Sequence, residues 1–232
     1  MAYPSSAYTK LNTSSKTIKS KSMGKLSNYL NRLFHPKYDK RSGALENVAI
    51  KLGMDYDLRD KHVLYPSLKG FRLFKVKGVV YNVLSQKDKW NDEKFFVFDY
   101  KYTVSTGKSS VTYKQTVFFF DSKSLELPRF WMKPERWFHR IAAFFGKEDI
   151  DFVSHPEFSA DYFLVGDDVE AVKRQFDDGV LNFFTVHKSW FLEGEGYYLI
   201  LYRHNQVIHH AQIRDFYMLA KDMYEEMRIK AS

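Results

Sequence analysis

The stretch that most constrains the fold is KFFVFDYKYTVSTGKSSVTYKQTVFFF, which spans residues 94–120. Both of its arms are rich in aromatic and β-branched residues, and the STGKSS between them has the composition of a turn. Successive strand side chains point to opposite faces of a sheet, so Asp99 belongs to one face. The other face is almost wholly aromatic and contains Phe96, Phe98, Tyr100, Tyr102 and Val104. The stretch therefore predicts one long antiparallel hairpin.

Shorter patterns surround this hairpin. Apolar runs at 71–76 and 79–85 predict two strands before it, and a second hairpin is predicted around the EGEG at 193–196. Helical patterns are predicted from Ser42 to Gly53, from Pro134 onwards, after Asp167, and over 211–227. This order predicts an α+β fold, in which an antiparallel β-meander is followed by mixed helices and a second hairpin. We expect residues 42–232 to form a single domain, with 147–157 as the boundary if it divides.

Positive charge is concentrated at the N-terminus. The net charge is +8, and residues 1–41 contain nine lysines and arginines against the single acid Asp39, so the remainder is neutral. Residues 1–23 are rich in Ser, Thr and Lys without an apolar run, which predicts a disordered arm. The arm resembles an electrostatic tether to an anionic surface. The cations expected to bind this surface are Lys10, Lys16, Lys19, Lys21, Lys25, Arg32, Lys37, Lys40 and Arg41.

A short amphipathic helix is predicted within this arm. Its apolar face consists of Leu26, Leu30, Leu33 and Phe34, which recur at helical spacing before Pro36. Two interpretations remain open: the helix lies on an anionic membrane surface, or it packs against the fold. The sequence has no run of about 18 apolar residues that would span a bilayer. It also has no cysteine, which excludes disulfides and thiolate sites. We expect a cytoplasmic protein, peripheral to the inner face of the membrane if the tether operates.

Several short motifs follow one another through the sheet region. They are NVL at 82–84, FDYKYTV at 98–104, KQTV at 114–117 and LPRFWMKPE at 127–135. Together they resemble an uncharacterised bacterial protein family with an NVL, FDYxYT, QTV and LPxFxLxPE series. The resemblance implies a bacterial domain without an established activity, so it transfers no catalytic residue. The motif residues here are Phe98, Asp99, Tyr100, Tyr102, Gln115, Thr116, Leu127, Pro128, Phe130, Pro134 and Glu135.

No motif establishes a reaction. The Gly-Lys-Ser at 107–109 lacks the earlier glycine and the following helix of a phosphate-binding loop. His204, His209 and His210 have no partner carboxylate that the sequence places beside them, so we predict no metal and no cofactor. Asp99 and Glu135 are carboxylates in recognisable motifs, and an enzyme that uses both in one cleft is an alternative.

The function that this sequence favours is a non-enzymatic binding or scaffold module, held by its basic arm at an anionic membrane surface or on a protein partner. A second alternative is nucleic-acid binding. The arm would supply the charge, and the Lys and Tyr residues that alternate in the FDYKYTV strand would supply stacking. The neutral charge of residues 42–232 weighs against this alternative, because nucleic-acid binders carry positive charge on the folded surface.

Overall fold

The computed structural model of the protein describes residues 37–62, 64–88, 92–105, 107–136 and 148–228. Tyr38–Ser232 form one compact unit of the chain. The predicted amphipathic helix and the cations from Lys10 to Arg32 lie outside the described residues.

An antiparallel sheet of eight strands forms the centre of the fold, so the chain is an α+β protein. The strands follow one another across the sheet in the order β1-β2-β3-β4-β8-β7-β5-β6. Their bounds are β1 (Asp55–Arg59), β2 (Val79–Asp88), β3 (Glu93–Ser105), β4 (Ser110–Asp121), β5 (Leu127–Pro134), β6 (Tyr162–Gly166), β7 (Phe191–Gly196) and β8 (Tyr198–Tyr202).

The hairpin predicted from the sequence is the pair β3 and β4. Its pairing runs without interruption from Lys94 opposite Asp121 to Ser105 opposite Ser110. Gly107 in the connecting turn has a φ of 81°, a left-handed conformation that glycine adopts without steric cost. Strands β1 to β4 are joined in sequence order, so the predicted meander is present.

Two of the differences from the sequence prediction concern the strands of the sheet. Residues 71–76 form no strand; Arg72–Phe74 are a 3-10 turn, and the first strand of the meander is β1. Phe71, Leu73 and Phe74 are all buried, which an alternating strand with one solvent-facing side would not permit. The second difference is β5, which pairs with β6 and β7. It joins the meander and the second hairpin into one sheet that is larger than the sequence indicates.

Within the described residues, five helices pack on one face of the sheet, where they enclose the larger hydrophobic core. They are α1 (Lys40–Leu52), α3 (Pro156–Asp161), α4 (Val169–Gln175), α5 (Asp178–Val186) and α6 (Ile213–Met227). Gly53 ends α1 as predicted, with a φ of 66°. The residue that caps the start of α1 is Asp39, which accepts a hydrogen bond from the backbone N–H of Ser42. Ser42 itself was the predicted cap.

The aromatic face of the sheet is covered in a different way. The longer helices pack on the opposite face of the sheet. The aromatic face instead contacts residues 64–76, which contain the four-residue helix α2 (Tyr65–Leu68) and the 3-10 turn. We call this segment the strap. Its buried side chains are Leu64, Leu68, Phe71, Leu73 and Phe74. Within the described parts of the chain, no helix is long and apolar enough to cross a bilayer.

Candidate functional site

The strap leaves part of the aromatic face open as a cleft of about 960 Å³, which falls within the usual range for ligand-binding cavities. The strap forms one wall, and the sheet forms the floor and the other walls. The lining residues are Gly70, Arg72, Leu73, Lys75, Val76, Tyr102, Val104, Arg129, Phe130, Trp131, Val165, Gly166, Asp167, Phe191, Glu193, Tyr202 and His204. We call this site the cleft.

A continuous row of aromatic rings runs along the cleft. Tyr102 of β3 stacks on Tyr113 of β4 with centroids 5.2 Å apart, and Tyr113 contacts the ring of His204 at 5.2 Å. His204 in turn contacts Phe191 at 5.8 Å, which stacks on Tyr202 at 5.1 Å. Alternation along the strands places the four rings of Tyr102, Tyr113, Phe191 and Tyr202 on the same side of the sheet, and His204 follows two residues after the end of β8. The row gives the cleft a wide apolar floor.

Glu193 is a buried carboxyl at the base of the cleft, with 2% of its surface exposed. Its Oε2 accepts a hydrogen bond from the backbone N–H of Arg72 at 2.5 Å. Its Oε1 accepts from the backbone N–H of Leu73 at 3.1 Å and from the hydroxyl of Tyr202 at 3.0 Å. Burial raises the pKa of Glu193 to about 7, and these hydrogen bonds oppose the increase. Glu193 therefore fixes the strap to the sheet.

Glu193 is not recognisable from the sequence, because the EGEG that contains it has the composition of a turn. In the structure β7 continues through Gly196, and the turn comes one residue later. Glu193 is consequently a strand residue opposite Trp131. A carboxylate that follows the apolar run WFL is the only sequence signal that indicates its burial.

Charged side chains of both signs surround the opening of the cleft. The guanidinium of Arg72 lies 4.8 Å from the ring centroid of Trp131, within the range of a cation–π interaction. Arg129 is 49% exposed; its Nε is 3.7 Å from Glu195, and its Nη1 is 4.0 Å from Asp167. These contacts are long and solvated, so they contribute little to stability. The rim can therefore exchange them for contacts with the polar part of a ligand.

The motif residues form a different, closed network on the helical face of the sheet. Both oxygens of Asp99 accept hydrogen bonds from Arg41, each at 2.8 Å. Asn82 donates to Asp99 Oδ2 at 2.9 Å, and Thr116 donates to Oδ1 at 3.0 Å. Arg41 also donates to the carbonyl of Ile208 at 2.8 Å. Asn82 lies in a β-bulge with a φ of 52°, which turns its side chain towards this network.

Arg41 is thus an internal residue of the fold. The sequence pattern places Arg41 among the cations of the surface-binding arm. In the structure its guanidinium forms a bidentate pair with Asp99, and its side chain is only 21% exposed. Its charge is compensated inside the protein, so it is not available to an anionic surface. Lys37 and Lys40 are exposed, and their role at a surface stays a prediction.

The structure does not bring Asp99 and Glu135 together. Asp99 lies on β3 and Glu135 follows β5, and β4, β8 and β7 separate these two strands. Adjacent strands are about 4.8 Å apart, so the two backbones are about 19 Å apart across the sheet. Asp99 is also enclosed, with 1% exposure. An enzyme that uses both carboxylates in one cleft does not fit this geometry.

The remaining predicted residues divide between the two faces. Phe98 and Tyr100 are buried on the aromatic face, and Tyr102 is half-buried in the cleft. Leu127 and Phe130 belong to the larger core. Gln115 is buried and accepts a hydrogen bond from the backbone of Asn205, and Pro128 is half-buried in β5. The prediction that a helix begins at Pro134 is wrong at this residue, because Pro134 pairs with Tyr162 as the last residue of β5. Most of that predicted helix lies outside the described residues.

His204, His209 and His210 do not come together. His204 lines the cleft, whereas His209 and His210 contact each other with tilted rings and centroids 4.1 Å apart. Among the residues that the structure describes, no group of three or more His, Cys, Asp or Glu side chains has the geometry of a metal site.

Comparison with known proteins identifies the fold. No family model matches the chain, and no curated protein matches it. A solved structure with a similar fold is the crystal structure of the mycobacterial trehalose monomycolate transport factor A, TtfA. The TM-score is 0.58 at 10% sequence identity, and the match covers 84% of this chain and 98% of the TtfA chain.

Proposed function

We propose that this protein is a non-enzymatic binding module that takes an amphiphilic molecule into the cleft, and that its basic N-terminal arm holds it at an anionic surface. The observation that carries this proposal is the contrast within the cleft, which has an aromatic interior and a charged rim. Such a site binds the apolar part of an amphiphile inside and contacts its polar part at the opening.

The interior favours an elongated apolar group. Tyr102, Val104 and Val76 line one end of the cleft, and Phe191 and Val165 line other parts of it. Each square ångström of apolar surface that a ligand removes from water contributes about 25 cal/mol. A chain laid along the row of aromatic rings would gain this contribution over its whole length.

The rim favours a polar head group with hydroxyl or mixed donor and acceptor groups. Arg72 and Arg129 supply N–H donors, whereas Asp167 supplies acceptors and half of its side chain is exposed. A purely anionic head would meet Asp167 and Glu195 as well as the arginines. A neutral polar head can pair with both kinds of side chain.

The chemistry of Glu193 favours binding over catalysis. A buried carboxyl with a raised pKa is a frequent feature of active sites. Here, however, both oxygens of Glu193 accept hydrogen bonds from the strap and from Tyr202. These three hydrogen bonds use most of the acceptor sites of the carboxylate and hold the wall of the cleft, so they favour a structural role for Glu193.

The structure of TtfA, which has a similar fold, supports the choice of an amphiphile as the ligand class. TtfA is named as a transport factor for trehalose monomycolate, a glycolipid with a sugar head and a fatty chain. A fold shared at 10% identity does not transfer a ligand. It makes an amphiphile the first class of molecule to test on the cleft of this chain.

The test uses a fluorescent fatty-acid analogue and the full chain. V104K places a charge inside the cleft, and V111K makes the same change at the cross-strand partner, which is exposed and outside the lining. We expect V104K to weaken binding at least about 10-fold, which corresponds to about 1.4 kcal/mol. V111K should bind like the unchanged protein. Equal affinity of both variants, or no binding by the unchanged protein, would refute the proposal.

A further inference from the structure

A groove on the helical side of the molecule lies apart from the cleft. It has a volume of about 560 Å³ and is formed by the second half of α1, the 3-10 turn at His210–Gln212 and the first turn of α6. Its apolar floor includes Val48 and Leu52, which are half-buried and pack against the larger core. We call it the basic groove, because every ionisable side chain that lines it is basic.

Three cationic or potentially cationic groups line the groove: Lys51, His210 and Arg214. Lys51 and Arg214 are exposed, and within the described parts of the chain neither has a carboxylate within 4.0 Å. This concentration is notable because residues 42–232 carry no net charge. The positive charge here is therefore local, and the fold does not compensate it.

We infer that the basic groove binds the anionic head group of a membrane lipid, so that the folded domain contacts an anionic bilayer directly. Lys51 and Arg214 supply the charge, and the side chains of Val48 and Leu52 supply an apolar surface for the part of the lipid beside the head group. The inference does not depend on the cleft, which lies on the opposite face of the sheet.

A lipid surface fits these features better than an isolated anion does. A small anion needs convergent donors in a closed pocket, but this groove is open and its cations are on flexible exposed side chains. Exposed lysines and arginines attract anionic bilayers through the surface potential without fixed geometry. The half-buried side chains of Val48 and Leu52 beside these cations add an apolar contact that a membrane or another amphiphile can use.

The test is co-sedimentation of the full chain with phosphatidylglycerol vesicles. The groove variant combines Lys51→Gln with Arg214→Gln. The matched control combines Lys108→Gln with Lys123→Gln, two exposed lysines outside the groove that, within the described parts of the chain, also have no carboxylate within 4.0 Å. Both variants lose two positive charges, so they differ only in where the charges were. A third variant, Lys51→Arg with Arg214→Lys, keeps the charge of the groove.

We expect the groove variant to bind vesicles about 30-fold more weakly than the unchanged protein, because two cations at an anionic surface contribute about 2 kcal/mol together. The control should lose much less, and the charge-keeping variant should bind normally. Equal losses in the groove variant and the control would overturn the inference. So would equally tight binding of soluble glycerol phosphate, or of duplex DNA at the same salt concentration, in place of vesicles. Fatty-acid binding in the cleft is measured separately and is unaffected by either result.

Discussion

The pair between Arg41 and Asp99 gives the sharpest test of the fold. Asp99 is 1% exposed and accepts four hydrogen bonds, two of them from Arg41. The variant R41A removes the only cation that contacts this carboxylate in the described chain. Removing one partner of a buried pair costs about 3–5 kcal/mol, since the other charge stays buried without compensation.

The lower end of that range applies here. The Arg41 side chain is 21% exposed, so water can reach the space that it leaves, and Asn82 and Thr116 still donate to Asp99. We therefore expect a loss of about 3 kcal/mol in the free energy of unfolding. For a domain of this size each kcal/mol lowers Tm by about 2–4 °C, so Tm should decrease by about 6–12 °C.

The assay is urea denaturation of R41A beside a matched control. K87A removes one partner of the Lys87–Asp92 pair, whose side chains are 59% and 57% exposed. A pair of this kind contributes about 0–1 kcal/mol. R41K should lie between the two variants, because lysine keeps the charge but cannot form two parallel hydrogen bonds. If R41A is as stable as K87A, Arg41 is a surface residue and the reasoning fails.

Two further predictions concern Glu193, which holds the wall of the cleft, and Gly194, the next residue of β7. The raised pKa of Glu193, about 7 in the fold against 4.5 for an exposed glutamate, means that the folded state binds a proton more tightly than the unfolded state. The protonated Glu193 therefore contributes its full stabilisation below about pH 4.5, and this contribution is lost as the pH rises through about 7. E193Q should flatten this decline when unfolding is followed in urea across that range, and an unchanged slope would contradict the assignment. Separately, G194A places a Cβ 2.6 Å from Cζ of Phe130 and 2.9 Å from Leu127, so it should cost about 1–3 kcal/mol. At Gly43 in α1 an added Cβ meets only the ring end of the exposed Tyr38 side chain, at 3.0 Å from its hydroxyl oxygen. Because this side chain can move aside, G43A should stabilise the protein by about 0.5–1 kcal/mol. Equal effects of G194A and G43A on Tm would show that the crowding predicted at Gly194 is relieved.

Periodicity made part of this structure predictable. The alternation in residues 94–120 predicted the longest hairpin and its aromatic face, because a strand has a period of two residues wherever it occurs. Gly53 predicted the end of α1 for a similar reason, since a left-handed residue favours glycine in any fold. Features of this kind depend on neighbours in sequence, so the sequence alone determines them.

The candidate site depended on neighbours in space. Glu193 faces the cleft because β7 pairs with both β5 and β8. The same pairing extends β7 to Gly196, so the turn follows the EGEG and does not include Glu193. Arg41 belongs to the fold and not to the basic arm, because it forms hydrogen bonds with both oxygens of the buried Asp99, which is 58 residues away in sequence. A buried charge needs a partner at hydrogen-bonding distance. The sequence supplied these charges, but only the tertiary structure decided which of them meet, because long-range pairing sets the distances between them.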